Sequence, residues 1–319
     1  MKRIAVLTSG GDAPGMNAAV RAVARTTLYN GKECFGVMRG YEGLIDGDFI
    51  LLDRAAVGGI IHRGGTILRT ARSPRFMEKE GRQQAIDKMT EAGIEGLVVI
   101  GGEGSYRGAK ELDSLGFPVI GIPGTIDNDI SGTDESIGFD TAVNTALEAV
   151  IRLRDTASSH DRLFIVEVMG RNAGFVALEV AVASGAEYVV VPELPLSIGR
   201  LCEHLNYSHR NKKSHTLIIL AEGVMSAAEM RSKLSDTGGY ESRVTVLGYI
   251  QRGGTPTAKD TILASRFGAY AAECLFLGKS GFMVGNINNR LVLSPLERAW
   301  TEHKELNTEL MGLVEKLSV

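Results

Sequence analysis

The chain has 319 residues, 44% of them hydrophobic and 23% charged, with a formal net charge of −3. These values exclude a mainly disordered chain, which needs low hydrophobicity and high net charge, and a generic nucleic-acid binder, which is normally basic. The length suits two domains, or one large α/β unit with a cap, and 39 glycines against 8 prolines point to tight loops beside regular structure.

Cys34, Cys202 and Cys274 are far apart and form no CxxC pair, so neither a zinc site nor a disulfide framework is indicated. Buried free thiols in a reducing compartment are expected. Met1-Lys2-Arg3 precedes an apolar run, residues 4–7, too short for a signal peptide. No apolar stretch approaches the ~18 residues of a spanning helix. A soluble cytoplasmic protein with no membrane or nucleic-acid partner is expected.

Residues 4–7 predict a strand that runs into Ser9-Gly10-Gly11-Asp12-Ala13-Pro14-Gly15, with a helix over 16–28. A second strand, 96–100, ends at Gly101-Gly102-Glu103-Gly104-Ser105 before a helix over 106–115. Strand 119–122 runs into Pro123-Gly124-Thr125-Ile126-Asp127-Asn128-Asp129, and a helix is expected over 140–156. Further strands are predicted over 163–169, 188–191, 216–221 and 244–250, ending at Gly170-Arg171, Pro192-Glu193, Glu222-Gly223 and Gln251-Arg252-Gly253-Gly254-Thr255. The strands are apolar on both faces, the mark of parallel strands between helix layers. Repeated strand–glycine loop–helix units give a doubly wound three-layer architecture, in which ligands bind beyond the carboxyl ends of the strands.

Gly101-Gly102-Glu103-Gly104-Ser105 lets backbone N–H groups approach a phosphate, and the helix after it points its positive end at an anion. Alone, the string equally suits a tight turn. A related loop at Gly10 strengthens the phosphate reading. There is no Walker A sequence, and neither loop continues as a dinucleotide-binding GxGxxG. Asp127 and Asp129 stand at i and i+2 after a strand. One suits a base for a hydroxyl and the other a charge partner or water holder; otherwise the string is an Asx-rich turn. Arg72, Arg162, Arg171, Arg243 and Arg252 lie near predicted loops or strand ends, and Arg-Gly-Gly-Thr occurs at 63–66 and again at 252–255. Taken singly, each arginine reads as solvated surface. Several beside glycine loops and paired carboxylates fit phosphoryl transfer, where the planar guanidinium meets phosphate.

The strings Leu7-Thr8-Ser9-Gly10-Gly11-Asp12-Ala13-Pro14-Gly15-Met16-Asn17, Pro123-Gly124-Thr125-Ile126-Asp127-Asn128-Asp129, Met169-Gly170-Arg171, Ala221-Glu222-Gly223 and Gln251-Arg252-Gly253-Gly254 carry a resemblance. The chain resembles the bacterial ATP-dependent 6-phosphofructokinase family over essentially its whole length. The resemblance implies an α/β fold of two similar three-layer αβα domains, each with a doubly wound, mainly parallel sheet, and an active site in the cleft between them. Residues 1–138 with 251–301 would form the larger, ATP-binding domain, and 139–250 with 302–319 the smaller, fructose 6-phosphate-binding domain. Gly11, Tyr41, Arg72, Gly102, Glu103, Gly104 and Ser105 would hold Mg-ATP, with Gly108 in the helix behind and Glu103 at the Mg²⁺ position. Asp127 would take the proton of the sugar 1-hydroxyl, and Thr125, Asp129, Arg72 and Arg171 would stabilise the transferring phosphoryl group. Met169, Gly170, Glu222, Tyr249 and Arg252 would hold the sugar phosphate beside these groups. Arg162 and Arg243 would reach it from a neighbouring subunit, so a homotetramer is implied.

The resemblance also implies an effector site between subunits, for ADP or GDP as activator and phosphoenolpyruvate as inhibitor. Arg21, Arg25, Arg154, Gly185, Glu187, Lys213 and His215 match it, whereas Gly59, Asn211 and Ser214 replace charged residues. A blunted allosteric response is expected. Gly104 and Gly124 stand where pyrophosphate-using relatives carry Asp and Lys, which favours ATP. Two active-site residues depart from the family: Glu103 replaces Asp and Tyr249 replaces His. They motivate two alternatives, a catalytically weakened paralogue acting as a regulatory or binding subunit, and a kinase for a related sugar phosphate such as tagatose 6-phosphate. Trp300, in a terminal segment, is expected to be packed.

Overall fold

The apolar runs at 4–7, 96–100 and 119–122 become central strands buried on both faces, whereas the 244–250 run gives a largely uncovered edge strand. In β1 (Arg3–Thr8) the four residues Ile4, Ala5, Val6 and Leu7 are wholly buried. The computed structural model describes residues 1–158, 163–210 and 216–318. After β1 come α1 (Met16–Tyr29), β2 (Glu33–Val37), α2 (Gly40–Asp46), β3 (Phe49–Leu51), α3 (Pro74–Met77), α4 (Lys79–Glu91), β4 (Leu97–Gly101), α5 (Glu103–Ser114) and β5 (Val119–Pro123). The middle of the chain forms α6 (Phe139–Ser158), β6 (Leu163–Val168), α7 (Phe175–Ser184), β7 (Tyr188–Val190), α8 (Ile198–Arg210), β8 (Thr216–Ala221), α9 (Ala227–Gly238) and β9 (Ser242–Val246). The remainder forms α10 (Ala258–Phe276), β10 (Phe282–Ile287), β11 (Arg290–Pro295), α11 (Arg298–Thr301) and α12 (Thr308–Leu317).

The chain divides into two units: Met1–Ile126, Ile130–Thr141 and Arg252–Lys304 in the first, and Asp127–Asp129, Ala142–Gln251 and Glu305–Val319 in the second. Among the described residues, the first unit holds a seven-stranded sheet ordered β11-β10-β5-β4-β1-β2-β3. Its central strands are parallel, as the continuous apolar runs predict. The core on one face joins Ala5, Leu7, Leu97 and Val99 to Leu44, Met89, Tyr106 and Leu112 of α2, α4 and α5. On the other face α1 crosses α10 closely, and a Cβ on Gly268 would lie 2.5 Å from the Ala19 carbonyl oxygen.

The second unit holds a four-stranded parallel sheet ordered β7-β8-β6-β9 among the described residues. Leu163, Ile165, Ile218 and Leu220 pack with Leu201, Leu205, Met230 and Leu234 of α8 and α9. The two units thus share the α/β plan but differ in sheet size.

Two predicted elements change. The helix after Gly101 begins at Glu103, not at residue 106: extended Gly102 is its N-cap, and an acidic first-turn residue suits the helix dipole. The strand predicted over 244–250 stops at Val246, because Gly248 turns left-handed (φ 52°) and a 3₁₀ turn, Gly248–Arg252, follows. The first sheet is also antiparallel at both edges, through β2–β3 and β10–β11. Asn288 and Asn289, at φ 49° and 61°, form the two-residue hairpin turn between β10 and β11.

Cys34, Cys202 and Cys274 are free and buried. Burial pushes the Cys34 thiol up to about 12, so it is inert at neutral pH. No described helix is long and apolar enough to cross a membrane.

Candidate active site

The first unit builds a glycine turn at the end of β4, beside the end of β5. Gly101 can only be glycine here, because an added Cβ would lie 2.4 Å from Ser105 Oγ and 2.6 Å from the Ser9 carbonyl oxygen. Ser105 and Tyr106 donate their N–H groups to the Gly102 carbonyl at 3.0 and 3.1 Å. The N–H groups at the very start of such a helix have no partner inside it and face an incoming anion. A Cβ on Gly104 would meet nothing within 4 Å, whereas one on Gly124 would press Ile100 at 2.9 Å and Met16 at 3.2 Å. Gly104 therefore leaves open room, and Gly124 is fixed by the core beneath it.

Tyr41 lies behind this turn and buttresses it. Its hydroxyl donates to the Ser105 carbonyl, its ring stacks on Phe76 with centroids 4.2 Å apart, and it is 7% exposed. Burial pushes its hydroxyl well above the usual phenol range. A Cβ on Gly108 would lie 2.8 Å from Tyr41 Cζ, so Gly108 makes room for the ring. Arg72 is exposed in the segment between β3 and α3. The Arg252 guanidinium fills the space where Gly11 lacks a side chain, with Nη1 2.9 Å from an added Cβ. The two Arg-Gly-Gly-Thr strings meet: a Cβ on Gly64 would lie 2.4 Å from the Gly254 carbonyl oxygen.

Past β5, the Thr125 carbonyl accepts the Ser136 hydroxyl at 2.7 Å. Asn128 is buried in the left-handed region (φ 55°), flanked by half-buried Asp127 and Asp129. Such conformations cost free energy in non-glycine residues and cluster at functional sites. The helix that follows is pinned by Asp260, which is 1% exposed and accepts from Gly138 N–H, Thr141 N–H and the Thr141 hydroxyl at 2.9, 2.8 and 2.6 Å.

In the second unit, the Met169-Gly170-Arg171 turn is built by acceptors. Gly170 and Arg171 donate their N–H groups to Glu222 Oε1 at 3.3 and 2.9 Å, and Met169 N–H donates to Gln251 Oε1 at 2.8 Å. Gly170 (φ 153°) and Arg171 (φ 55°) adopt positive φ, and the Arg171 side chain is exposed. Gly223 closes against the turn, for a Cβ there would lie 2.2 Å from the Arg171 carbonyl oxygen. Arg243 is exposed on edge strand β9, and Tyr249 is 78% exposed in the 3₁₀ turn. The Arg154 Nη2 donates to the Gly185 carbonyl at 2.6 Å, and buried Glu187 accepts the Leu217 N–H at 2.8 Å. In the first unit Arg21 and Arg25 stand one turn apart on α1, and Arg25 donates to the Arg54 carbonyl at 3.1 Å. Arg162, Lys213 and His215, with Asn211 and Ser214, lie outside the described residues.

Sequence reasoning missed Gln251 as a positioning side chain, and Glu193, whose Oε1 accepts the Gly174 N–H at 2.8 Å. The available signal was an acidic or amide residue closing a predicted strand.

Glu103, in the first turn of α5, is a hard oxygen donor, and no group of three His, Cys, Asp or Glu among the described residues could hold a metal by itself. A single carboxylate donor such as Glu103 has the chemistry of a Mg²⁺ ligand, an ion that takes one or two carboxylates together with waters and substrate phosphates.

Glycine-cradled helix starts, paired carboxylates and a pinned arginine turn on α/β sheets define a phosphoryl-transfer class of protein. The chain belongs to the phosphofructokinase family, whose pattern it matches over residues 3–275. It is 50% identical over 319 residues to an ATP-dependent 6-phosphofructokinase of Shouchella clausii, and 51% identical over 319 residues to one of Listeria welshimeri, with both chains covered completely in each case. A yeast phosphofructokinase structure aligns at a TM-score of 0.90 and 35% identity, covering 100% of this chain and 48% of that one. A pyrophosphate-dependent phosphofructokinase of Marinobacter aquaeolei, at 22% identity and a TM-score of 0.85, shares the fold.

Proposed function

We propose that the protein transfers the γ-phosphoryl group of ATP to the 1-hydroxyl of D-fructose 6-phosphate, giving ADP and fructose 1,6-bisphosphate in glycolysis. The observation that carries this reading is the left-handed Asn128 with Asp127 and Asp129 on either side, in a chain about half identical along its full length to enzymes of that name. Asp127 is the base, taking the hydroxyl proton as its oxygen attacks in line. The N–H groups at the start of α5 and the exposed Arg72 receive the nucleotide's phosphates, with Gly104 giving it room and Gly11 on the same side, closed against Arg252. Tyr41 and Gly108 belong to the nucleotide side and fix the helix behind the turn. Thr125, Asp129 and Arg171 orient and neutralise the transferring group. Met169, Gly170, Glu222, Tyr249 and Arg252 form the sugar-phosphate side, and Glu222 acts there by setting the Met169-Gly170-Arg171 turn. Mg²⁺, when bound through Glu103 and the nucleotide's phosphates, supplies charge neutralisation at the reacting oxygens.

The active assembly is a homotetramer, to which Arg162 and Arg243 contribute across subunits, working in the cytoplasm. Arg21, Arg25, Arg154, Gly185, Glu187, Lys213 and His215 form the effector site for ADP, GDP or phosphoenolpyruvate. Gly59, Asn211 and Ser214 bring fewer charges to that site, so the response is blunted. A strong shift of velocity with ADP or phosphoenolpyruvate at low sugar phosphate contradicts that part.

The test is a purified-protein assay with ATP, GTP and pyrophosphate as donors and fructose 6-phosphate and tagatose 6-phosphate as acceptors, at varied Mg²⁺. Preference for ATP with fructose 6-phosphate is expected. Preference for tagatose 6-phosphate favours the related-sugar kinase. Near-zero activity restored by Glu103→Asp with Tyr249→His favours the regulatory paralogue.

A further inference from the structure

The carboxylate assigned to the metal already has a partner. Glu103 and Arg107 stand one turn apart on α5, with Arg107 Nη2 2.7 Å from Glu103 Oε1 and Nε donating to the same oxygen at 2.9 Å. The guanidinium also lies over the ring of Trp300, 4.9 Å from its centroid. Trp300 sits in α11 and packs against the first unit's core, and it is the chain's sole tryptophan. One turn further along the same helix face, Lys110 binds Glu297 at 2.6 Å, and Glu297 is the N-cap residue of α11. This face of α5 is therefore fastened along the edge that carries Trp300.

A carboxylate at a helix start repels an incoming polyphosphate unless its charge is cancelled. Arg107 cancels it, and the indole face keeps the guanidinium within reach by cation–π attraction. A divalent cation arriving with a nucleotide competes with Arg107 for that same carboxylate. Both side chains of the pair are well exposed, at 55% and 36%, so the pair is weak and a cation can displace it.

We propose that Arg107 is a positioning residue that holds Glu103 in reserve through an ion pair seated on Trp300, and that a divalent cation must exchange with Arg107 to take Glu103. This rests on the reading of the 102–105 turn as the metal–nucleotide side of the site. The exchange predicts a metal requirement raised by Arg107, alongside any effect of the extra methylene that sets Glu103 apart from Asp.

The experiment uses the full chain with saturating ADP, which permits no forward turnover. Bound Mn²⁺ is read from the loss of the free-ion paramagnetic resonance signal, and ADP binding is read separately by equilibrium dialysis. Arg107→Gln should lower the half-saturating Mn²⁺ by about two- to five-fold, the range expected for removing an exposed pair. Arg107→Lys, which keeps the charge but stacks less well, should fall between the two. In a Glu103→Gln background the Arg107→Gln substitution should have no effect. Trp300 emission should respond to Mn²⁺ in the unsubstituted protein and lose that response in Glu103→Gln. Equal or weaker Mn²⁺ binding in Arg107→Gln, or the same gain in the Glu103→Gln background, overturns the proposal while leaving nucleotide binding intact. Failure of the unsubstituted protein to bind ADP overturns the nucleotide reading itself, and the proposal with it.

Discussion

The 101–105 turn of the first unit is held from behind by bulk: the Tyr41 ring, Phe76 and the glycines that let them close in. The 169–171 turn of the second unit is held by acceptors, Glu222 and Gln251, which take its three successive N–H groups. The difference follows from what each turn must offer. An anion-binding turn must leave its N–H groups available, so its support comes from packing. A turn that presents an arginine must instead fix a strained backbone, and hydrogen bonds to a carboxylate are the stronger tether.

Substitutions can break or sharpen this contrast. Gly223→Ala should have the largest effect, because the new Cβ would lie 2.2 Å from the Arg171 carbonyl oxygen. A displacement of about 1 Å at Arg171 should lower kcat/KM about 100-fold. Glu222→Ala frees the Gly170 and Arg171 N–H groups and should raise KM for the sugar phosphate about tenfold, leaving KM for ATP nearly unchanged. Equal effects on both substrates would erase the distinction between the turns. Tyr41→Phe removes one buried hydrogen bond to the Ser105 carbonyl and should cost about 1 kcal/mol in urea unfolding, with a few-fold rise in KM for ATP.

The smallest effect concerns Asp260. Burial raises its carboxyl above the ordinary 3.8, against the lowering by its Thr141 and Gly138 donors. A raised folded value favours the neutral form, so this contribution is full below the ordinary value and is lost as pH rises through the raised one. The urea midpoint of the unsubstituted protein should therefore fall relative to Asp260→Asn between pH 4 and pH 7. An unchanged difference would place the carboxyl at its ordinary value.

The buried parallel strands and the glycine turns were legible in the sequence because their signals are local: continuous apolar residues closed by glycine. The β10–β11 hairpin carried a signal as well, Asn288-Asn289, but repeated parallel units masked it. The end of β9 was misplaced because Tyr249 and Ile250 look like strand residues, whereas Gly248 reverses the backbone before them. Glu193 and Gln251 each close a predicted strand, but the N–H groups they hold lie 19 and 82 residues away in sequence, so the local pattern marked the residues without showing what they hold. The ion pair of Glu103 with Arg107 has helical spacing, but its seat on Trp300 joins distant segments of chain.

The most direct test of Asp127 as the base is turnover of Asp127→Ser with saturating ATP, Mg²⁺ and fructose 6-phosphate in an aldolase-coupled assay. General-base catalysis predicts a fall in kcat of about 10²–10⁴-fold while the melting temperature stays close to that of the unsubstituted protein. Turnover near the unsubstituted rate would contradict it.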